Sequence, residues 1–245
     1  MAGRTYKTGA IVLRSMRFSE ADRILHLYTA DRGRIGAIAK GVRKTKSRFG
    51  ARLEPLSHVE LIIHQGAGEL QTITGVELLR SHHAVREDPY RLNVGLIGAE
   101  AMLRLFGEPE ANDRAFGALA RFLDLLDDLA PRKTQPVADP LALSFQLKLL
   151  WLAGYLPHVT SCVECGGDDL VGFSARAGGA VCAIHAAGAL RLSDDGLGGI
   201  ERLLSTPLAD ATDANLSERA SRDALAVITS LYEEHGGFRL RTLSA

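Results

Sequence analysis

The first eighty residues contain five short runs with strand character, and that constrains this chain more than any other feature. Thr8–Arg14, Ala21–Thr29, Arg34–Val42, His58–His64 and Glu69–Leu78 are separated by turn-forming or charged residues. Alternation fixes a buried face in the better-patterned runs: Ile35, Ala37 and Ala39 in the third, and Val59, Leu61 and Ile63 in the fourth. Asp31-Arg32-Gly33 and Gly66-Ala67-Gly68 have the residues of hairpin turns. Only the stretch from Arg43 to Leu56 is long. Five strands with one long connection predict a small closed barrel of the oligonucleotide-binding (OB) type, and an SH3-like barrel fits the strand count almost as well.

From Pro89 onward the apolar period changes to that of helices. Tyr90, Val94, Ile97, Ala101 and Leu105 form one stripe, and Phe116, Leu119, Phe122, Leu123 and Leu126 form a second. Asp139-Pro140 is an N-cap acid followed by proline at the first helical position, opening a third helix that should run to about Tyr155. A later helix is expected over about Ser217 to His235, with Leu225, Ile228, Leu231 and Tyr232 inward. The expected class is therefore α+β, with an OB barrel over residues 1–80 and a helical domain over 81–245. An insertion at about 158–192 interrupts that domain.

Charge divides the chain in the same place. Overall, 29 Lys+Arg balance 29 Asp+Glu, but residues 1–80 hold 14 basic against 7 acidic groups, and residues 81–245 hold 15 against 22. Between Arg32 and Leu53 lie Arg32, Arg34, Lys40, Arg43, Lys44, Lys46, Arg48 and Arg52 with no acid among them. Such a run can be a solvated loop. One set in a barrel, at the basic end of a neutral chain, is an electrostatic footprint for a polyanion, most naturally nucleic acid. The segment's aromatics are Tyr6, Phe18, Tyr28 and Phe49, so binding should lean on phosphate contacts more than on stacking.

The insertion carries every cysteine of the chain. Cys162-Val-Glu-Cys165 and Cys182-Ala-Ile-His185 are two half-sites separated by sixteen residues. Each two-residue spacer lets a tight turn aim two ligands at one ion, and Gly166-Gly167 allows the chain to fold back. Four such ligands close a tetrahedron, which makes a structural zinc ribbon with one ion. A redox dithiol at Cys162 and Cys165 would not need Cys182 and His185 in the matching arrangement. A zinc deaminase would pair an H-x-E with P-C-x-x-C; His58-Val-Glu60 matches formally, but Ser161 precedes Cys162 and the distance in sequence is about a hundred residues.

Enzyme signatures are absent: no G-x-x-x-x-G-K-[ST], no G-x-S-x-G and no H-E-x-x-H. Asp168-Asp169 and Asp194-Asp195 read as solvated pairs, so a metal-dependent nuclease ranks low, and the expectation is a protein without catalytic residues. The apolar stretch from Leu149 to Leu156 is too short to cross a bilayer, and no signal-peptide pattern opens the sequence. With three cysteines and no paired framework, a reducing, cytoplasmic location is expected.

Several segments resemble a known family. Glu20-Ala-Asp-Arg-Ile-Leu, Thr29-Ala-Asp-Arg-Gly, Ala39-Lys-Gly-Val-Arg-Lys and Leu53-Glu-Pro-Leu are similar to the N-terminal domain of RecO, the bacterial recombination mediator family. The resemblance continues through Lys148-Leu-Leu-Trp-Leu-Ala-Gly-Tyr-Leu-Pro157 into the Cys162–His185 insertion. It implies an OB barrel and a helical domain with a zinc-ribbon-like insertion, and a nucleoid-associated protein that is not an enzyme. It also implies binding of single- and double-stranded DNA, annealing of complementary strands, and work with RecR and single-stranded DNA-binding protein in recombinase loading. Arg34, Lys40, Arg43, Lys44, Lys46, Arg48 and Arg52 lie where that family binds DNA. Family members with the metal site commonly use four cysteines; His185 takes the last place here. The acidic, aromatic-ended tail of single-stranded DNA-binding protein would dock on the helical domain, with Arg121, Arg132, Lys133 and Lys148 as its candidate cations. An RNA-binding or regulatory adaptor using the same basic barrel is the alternative, since contacts to a 2′-hydroxyl leave no mark in a sequence.

Overall fold

The computed structural model describes residues 4–47, 49–107, 110–130 and 135–243. They divide into two compact units, residues 1–129 and 130–245. In the first, β1 (Arg4–Phe18), β2 (Asp22–Thr29), β3 (Gly33–Ala39), β4 (His58–Gln65) and β5 (Gln71–Arg80) close a barrel in the order β1-β2-β3-β5-β4. β3 and β5 run parallel, the other neighbours antiparallel, and β1 pairs with β4 from Arg4↔Gln65 to Ile11↔His58 to shut the sheet. This is the OB topology. The lumen is filled by the residues that alternation selects: Ala10 and Val12, Leu25 and Leu27, Ile35, Ala37 and Ala39, Val59, Leu61 and Ile63, and Ile73. Phe49 and Leu53, on the long connection, plug the same core.

Three helices follow: α1 (His83–Glu87), α2 (Pro89–Leu105) and α3 (Asp113–Asp128). Asp88 caps α2 by accepting from the Arg91 N–H (2.8 Å), and Asn112 caps α3 by accepting from Ala115 (2.9 Å). α2 packs on β1 and β2. Ile11 and Tyr28 are fully buried there although neither faces the lumen, and Tyr28 meets Phe106 edge to face at 5.8 Å. The compact unit thus ends near Leu129, beyond the break at residue 80 in composition, because the barrel's outer face needs these helices to cover it.

The second unit is built on α4 (Pro140–Leu152), which is buried on nearly every side. The Asp139 carboxylate, itself fully buried, accepts from the Leu141 and Ala142 N–H groups as its cap. The helix stops three residues before Tyr155: Gly154 takes φ +90°, and its N–H and that of Tyr155 return to the Trp151 and Leu150 carbonyls. A three-stranded ribbon follows, β6 (Leu170–Ser174), β7 (Gly179–Cys182) and β8 (Leu190–Arg191), in the order β7-β6-β8. Then come α5 (Asp194–Ser205) and α6 (Glu218–Leu231). The sequence pattern does not announce α5, which carries Gly196, Gly198 and Gly199. Close approach to α6 explains two of them: a Cβ at Gly196 would lie 2.1 Å from the Asp223 carboxylate, and one at Gly199 would lie 3.0 Å from Ala220. On α6 the buried stripe is Ala220, Ala224, Val227, Ile228 and Leu231, with Leu225 only half-buried. Among the described residues, no helix is long and apolar enough to cross a membrane.

Candidate nucleic-acid interface and metal centre

The basic turn leaves β3 at Ala39 and is held against the β1–β2 turn by three hydrogen bonds. Gly41 N–H donates to Asp22 Oδ1 (2.7 Å), Arg43 N–H to the Ala21 carbonyl (3.0 Å), and Arg43 Nη1 to the Glu20 carbonyl (2.8 Å). Turns closed by Lys44 on Gly41 and Ser47 on Lys44 follow, before Phe49 enters the core. Anchored at both ends, the segment presents Lys40, Arg43, Lys44 and Lys46 to solvent, and Arg52 is exposed on the short helical turn Gly50–Leu53. Arg48 lies outside the described residues.

Arg34 is placed differently. It is half-buried, and its Nη1 donates to the Leu103 carbonyl of α2, so it joins the barrel to a helix. Arg14 and Arg17, by contrast, are exposed on the far part of β1 and were not among the expected contacts. A β-bulge between Val12 and Arg14 carries β1 on to Phe18, past the end that simple alternation suggests.

In the second unit the four metal-ligand candidates come together. Cys162 and Cys165 flank a tight turn in which Gly166 N–H donates to the Cys162 carbonyl (2.8 Å) and Cys162 N–H to Gly167 (2.7 Å), with Gly166 at φ +75°. Cys182 ends β7, and the helical turn Ala183–His185 brings the imidazole back beside it. The three Sγ atoms and the His185 nitrogen all lie within 4.8 Å of one another. Cys165 Sγ to Cys182 Sγ is 3.8 Å, Cys162 Sγ to His185 Nδ1 is 3.6 Å, and Cys182 Sγ to His185 Nδ1 is 3.2 Å. A tetrahedron with metal–sulfur bonds of about 2.3 Å and a metal–nitrogen bond of about 2.0 Å has edges of roughly 3.8 and 3.5 Å, so this set fits a metal ion with little adjustment. Burial opposes ionisation of Cys162, but N–H groups of Cys182, Glu164 and Cys165 directed at the sulfur outweigh it and bring the thiol down to about 6. All three cysteines are free thiols.

The remaining candidates are dispersed. His58 lies edge to face with Phe116 (5.5 Å), and Glu60 pairs with Lys7, so the H-x-E residues are engaged within the barrel unit. Arg121 is exposed on α3 of the first unit. Arg132 and Lys133 lie outside the described residues. Lys148, on α4, donates to the carbonyls of Leu203 (3.2 Å), Leu204 (3.3 Å) and Thr206 (2.9 Å), and burial lowers its pKa. Its three donors are therefore committed to the end of α5. Beside it opens a groove of about 490 Å³ whose walls include Trp151, Leu156, Pro157, Val159 and Leu204.

Known proteins match this chain over nearly its whole length. Residues 1–82 match the family model "Recombination protein O N terminal", and residues 86–244 match "Recombination protein O C terminal". The DNA repair protein RecO of Rubrobacter xylanophilus is 40% identical over 224 residues, covering 89% of this chain and 88% of that protein. The chain belongs to the RecO family. The RecO protein of Anaeromyxobacter sp. (strain K) is 34% identical over 242 residues, covering 96% and 92% of the two chains, and that of Bifidobacterium animalis subsp. lactis is 35% identical over 197 residues, covering 72% of each. As a RecO-family member, the chain is a DNA repair protein whose second unit carries a Cys3His group able to hold a metal ion.

Proposed function

We propose that this chain is a non-enzymatic, DNA-binding and strand-annealing mediator of recombinational repair, acting with RecR and single-stranded DNA-binding protein to promote recombinase loading. The observation that carries the DNA-binding part is the exposed basic turn from Lys40 to Lys46, fixed to the β1–β2 turn of a closed barrel. A cation held in place by its backbone can meet a phosphate without first ordering a loop, so less entropy is lost on binding. Lys40, Arg43, Lys44, Lys46 and Arg52 are the phosphate contacts, with Arg48 beside them in sequence and Arg14 and Arg17 extending the positive surface along β1. Backbone contacts leave base edges free to pair, as annealing requires. Arg34 supports this surface from within by tying β3 to α2.

If about five phosphates are neutralised, affinity for single strands falls with log salt at a slope of roughly −3.5. Replacing Arg43, Lys44 and Lys46 together by Ala should flatten the slope, weaken all sequences alike and slow renaturation of strands precoated with single-stranded DNA-binding protein. An unchanged slope would place DNA elsewhere, strand degradation with magnesium would point to a nuclease, and tighter binding to RNA of the same sequence would favour an adaptor of RNA.

The metal is one structural zinc held by Cys162, Cys165, Cys182 and His185, which fold the insertion around it. For the acidic, aromatic-ended tail of the single-stranded DNA-binding protein, the apolar groove beside Lys148 supplies a receptor for the aromatic ring. The Lys148 donors are committed, which leaves Arg121, Arg132 and Lys133 as the candidate cations for the carboxylates. Trp151 is the chain's one tryptophan and half-exposed at this groove. Its fluorescence should change on adding a tail peptide, and less so after Arg132→Glu with Lys133→Glu; no change in the wild type would remove the groove from this role.

A further inference from the structure

The basic turn carries two hydroxyls among its cations, in the run Arg43-Lys44-Thr45-Lys46-Ser47-Arg48. The fold treats them differently. Ser47 is half-buried, and its Oγ accepts from the Phe49 N–H (3.2 Å) where the chain turns into the core. The Ser47 N–H donates to the Lys44 carbonyl (2.9 Å), closing a turn that leaves Thr45 and Lys46 at its two corner positions. Thr45 is exposed there, and its hydroxyl enters no hydrogen bond among the described residues.

That free hydroxyl stands among exposed cations. Arg43 and Lys44 precede it, Lys46 follows it, and no acid occurs between Arg32 and Leu53. The bonds that anchor the segment to the β1–β2 turn are made earlier, at Gly41 and Arg43. Past Arg43 the backbone bonds are those of the local turns, Lys44 N–H to the Gly41 carbonyl (3.2 Å) and Ser47 N–H to Lys44. Thr45 can therefore enter the cleft of an enzyme when one short turn opens, with the barrel left intact. A cleft that receives it must be acidic to suit its neighbours.

We propose that Thr45 is a phosphorylation site for a serine/threonine protein kinase with an acidic substrate groove, and that the phosphate switches off DNA binding by the basic turn. The inference rests on the DNA-binding reading above and adds its regulation. In the transfer, Thr45 Oγ1 attacks the γ-phosphorus of ATP: an O–P bond forms, the bond to the β-phosphate oxygen breaks, and ADP leaves. The hydroxyl proton passes to a carboxylate base of the kinase. A phosphothreonine carries a charge of about −1.5 to −2 and three acceptor oxygens, so the net charge of residues 43–48 falls from +4 to about +2. Set between Arg43, Lys44 and Lys46, it pairs with the cations that a DNA phosphate would meet. Being tethered, it does so without the entropy that a free strand loses on binding.

The test uses the full chain in two forms: isolated from its native host, with and without DNA damage, and prepared with Thr45→phosphothreonine. Tandem mass spectrometry of the first form should find phosphate on Thr45 in at least one condition. Phosphate on Ser47 alone, or on neither residue in both conditions, overturns the site. The second form is titrated against fluorescently labelled oligothymidine over a salt series. With three cations occupied, the slope should flatten from roughly −3.5 to about −1.4, and affinity at 0.1 M salt should fall about a hundredfold. Treatment with a protein phosphatase should restore both; a loss that persists is damage to the turn and overturns the switch. If phosphothreonine changes nothing while the Arg43, Lys44 and Lys46 variant flattens the slope, the switch alone fails. An unmodified chain that binds no strand overturns the DNA-binding reading and the switch with it.

Discussion

The barrel of the first unit and the ribbon of the second are both small β structures, yet they are held together by different means. In the barrel every strand is paired on both sides, and apolar side chains from all five strands meet Phe49 and Leu53 in one core. Each fully buried Leu, Ile or Phe contributes about 1.5–3 kcal/mol, so the barrel has a large apolar term to set against chain entropy. The ribbon has strands of five, four and two residues. Beside the ligand candidates the buried cluster consists of Cys162, Val181 and Cys182, with Val163, Leu170, Ala186 and Ala189 packed against it, while Phe173 and Ala180 are buried farther along β6 and β7. Two of the cluster's three buried residues are themselves ligand candidates. Where so little apolar surface lies beside the four ligand candidates, a closed set of metal bonds would take over the role of a core.

The largest effect expected from this contrast follows removal of the metal. Structural zinc binding is worth about 10–16 kcal/mol in small domains, far more than the ribbon's few apolar contacts. The purified protein should contain one zinc per chain by elemental analysis. Chelation, or Cys162→Ser, should abolish amide-exchange protection across residues 158–192 and leave β1 to β5 as protected as before. Ribbon amides that stay protected without metal would break the comparison.

How much of this was legible in the sequence follows the range of the interactions. The gathering of Cys162, Cys165, Cys182 and His185 was legible because C-x-x-C and C-x-x-H are local geometry, each closed by one turn. The barrel strands were legible because alternation records which face is buried. The end of β1 was not, since the bulge at Val12 and Arg14 interrupts alternation and hides Arg17 and Phe18 as strand residues. The covered outer face had a signal in Ala10-Ile11-Val12-Leu13, an unbroken apolar run of the kind found in strands buried on both sides. Arg34 could not be sorted from the other basic residues, because its acceptor is a carbonyl sixty-nine residues away. Helix α5 was masked by glycines whose reason lies on α6.

The smaller effect sharpens the same contrast through acid. His58 sits on β4 opposite Ile11 of β1 and Arg80 of β5, with its ring against Phe116 of α3. Burial holds its imidazole below the ordinary histidine value; nearby His82 and Arg80 push the same way, and Asp124 opposes them. A histidine with a depressed folded pKa takes up its proton more readily in the unfolded chain, near pH 6.5, so the stability it contributes is complete above that pH and is lost as pH falls through the folded value. Acid should loosen both regions, but for different reasons. In the ribbon, protons would compete with a bound metal for three cysteines and an imidazole, whereas in the barrel unit the half-buried histidine packed on Phe116 contributes through its own depressed pKa. His58→Asn should therefore reduce the loss of barrel protection between pH 7 and pH 5, read by amide exchange on β1 and β4. It should leave the acid sensitivity of residues 158–192 untouched. If the variant's barrel loses as much protection as the wild type, His58 is not a source of the barrel's acid response; if the ribbon also becomes acid-resistant, the two regions do not respond independently, and the division between a core-held barrel and a ligand-held ribbon fails.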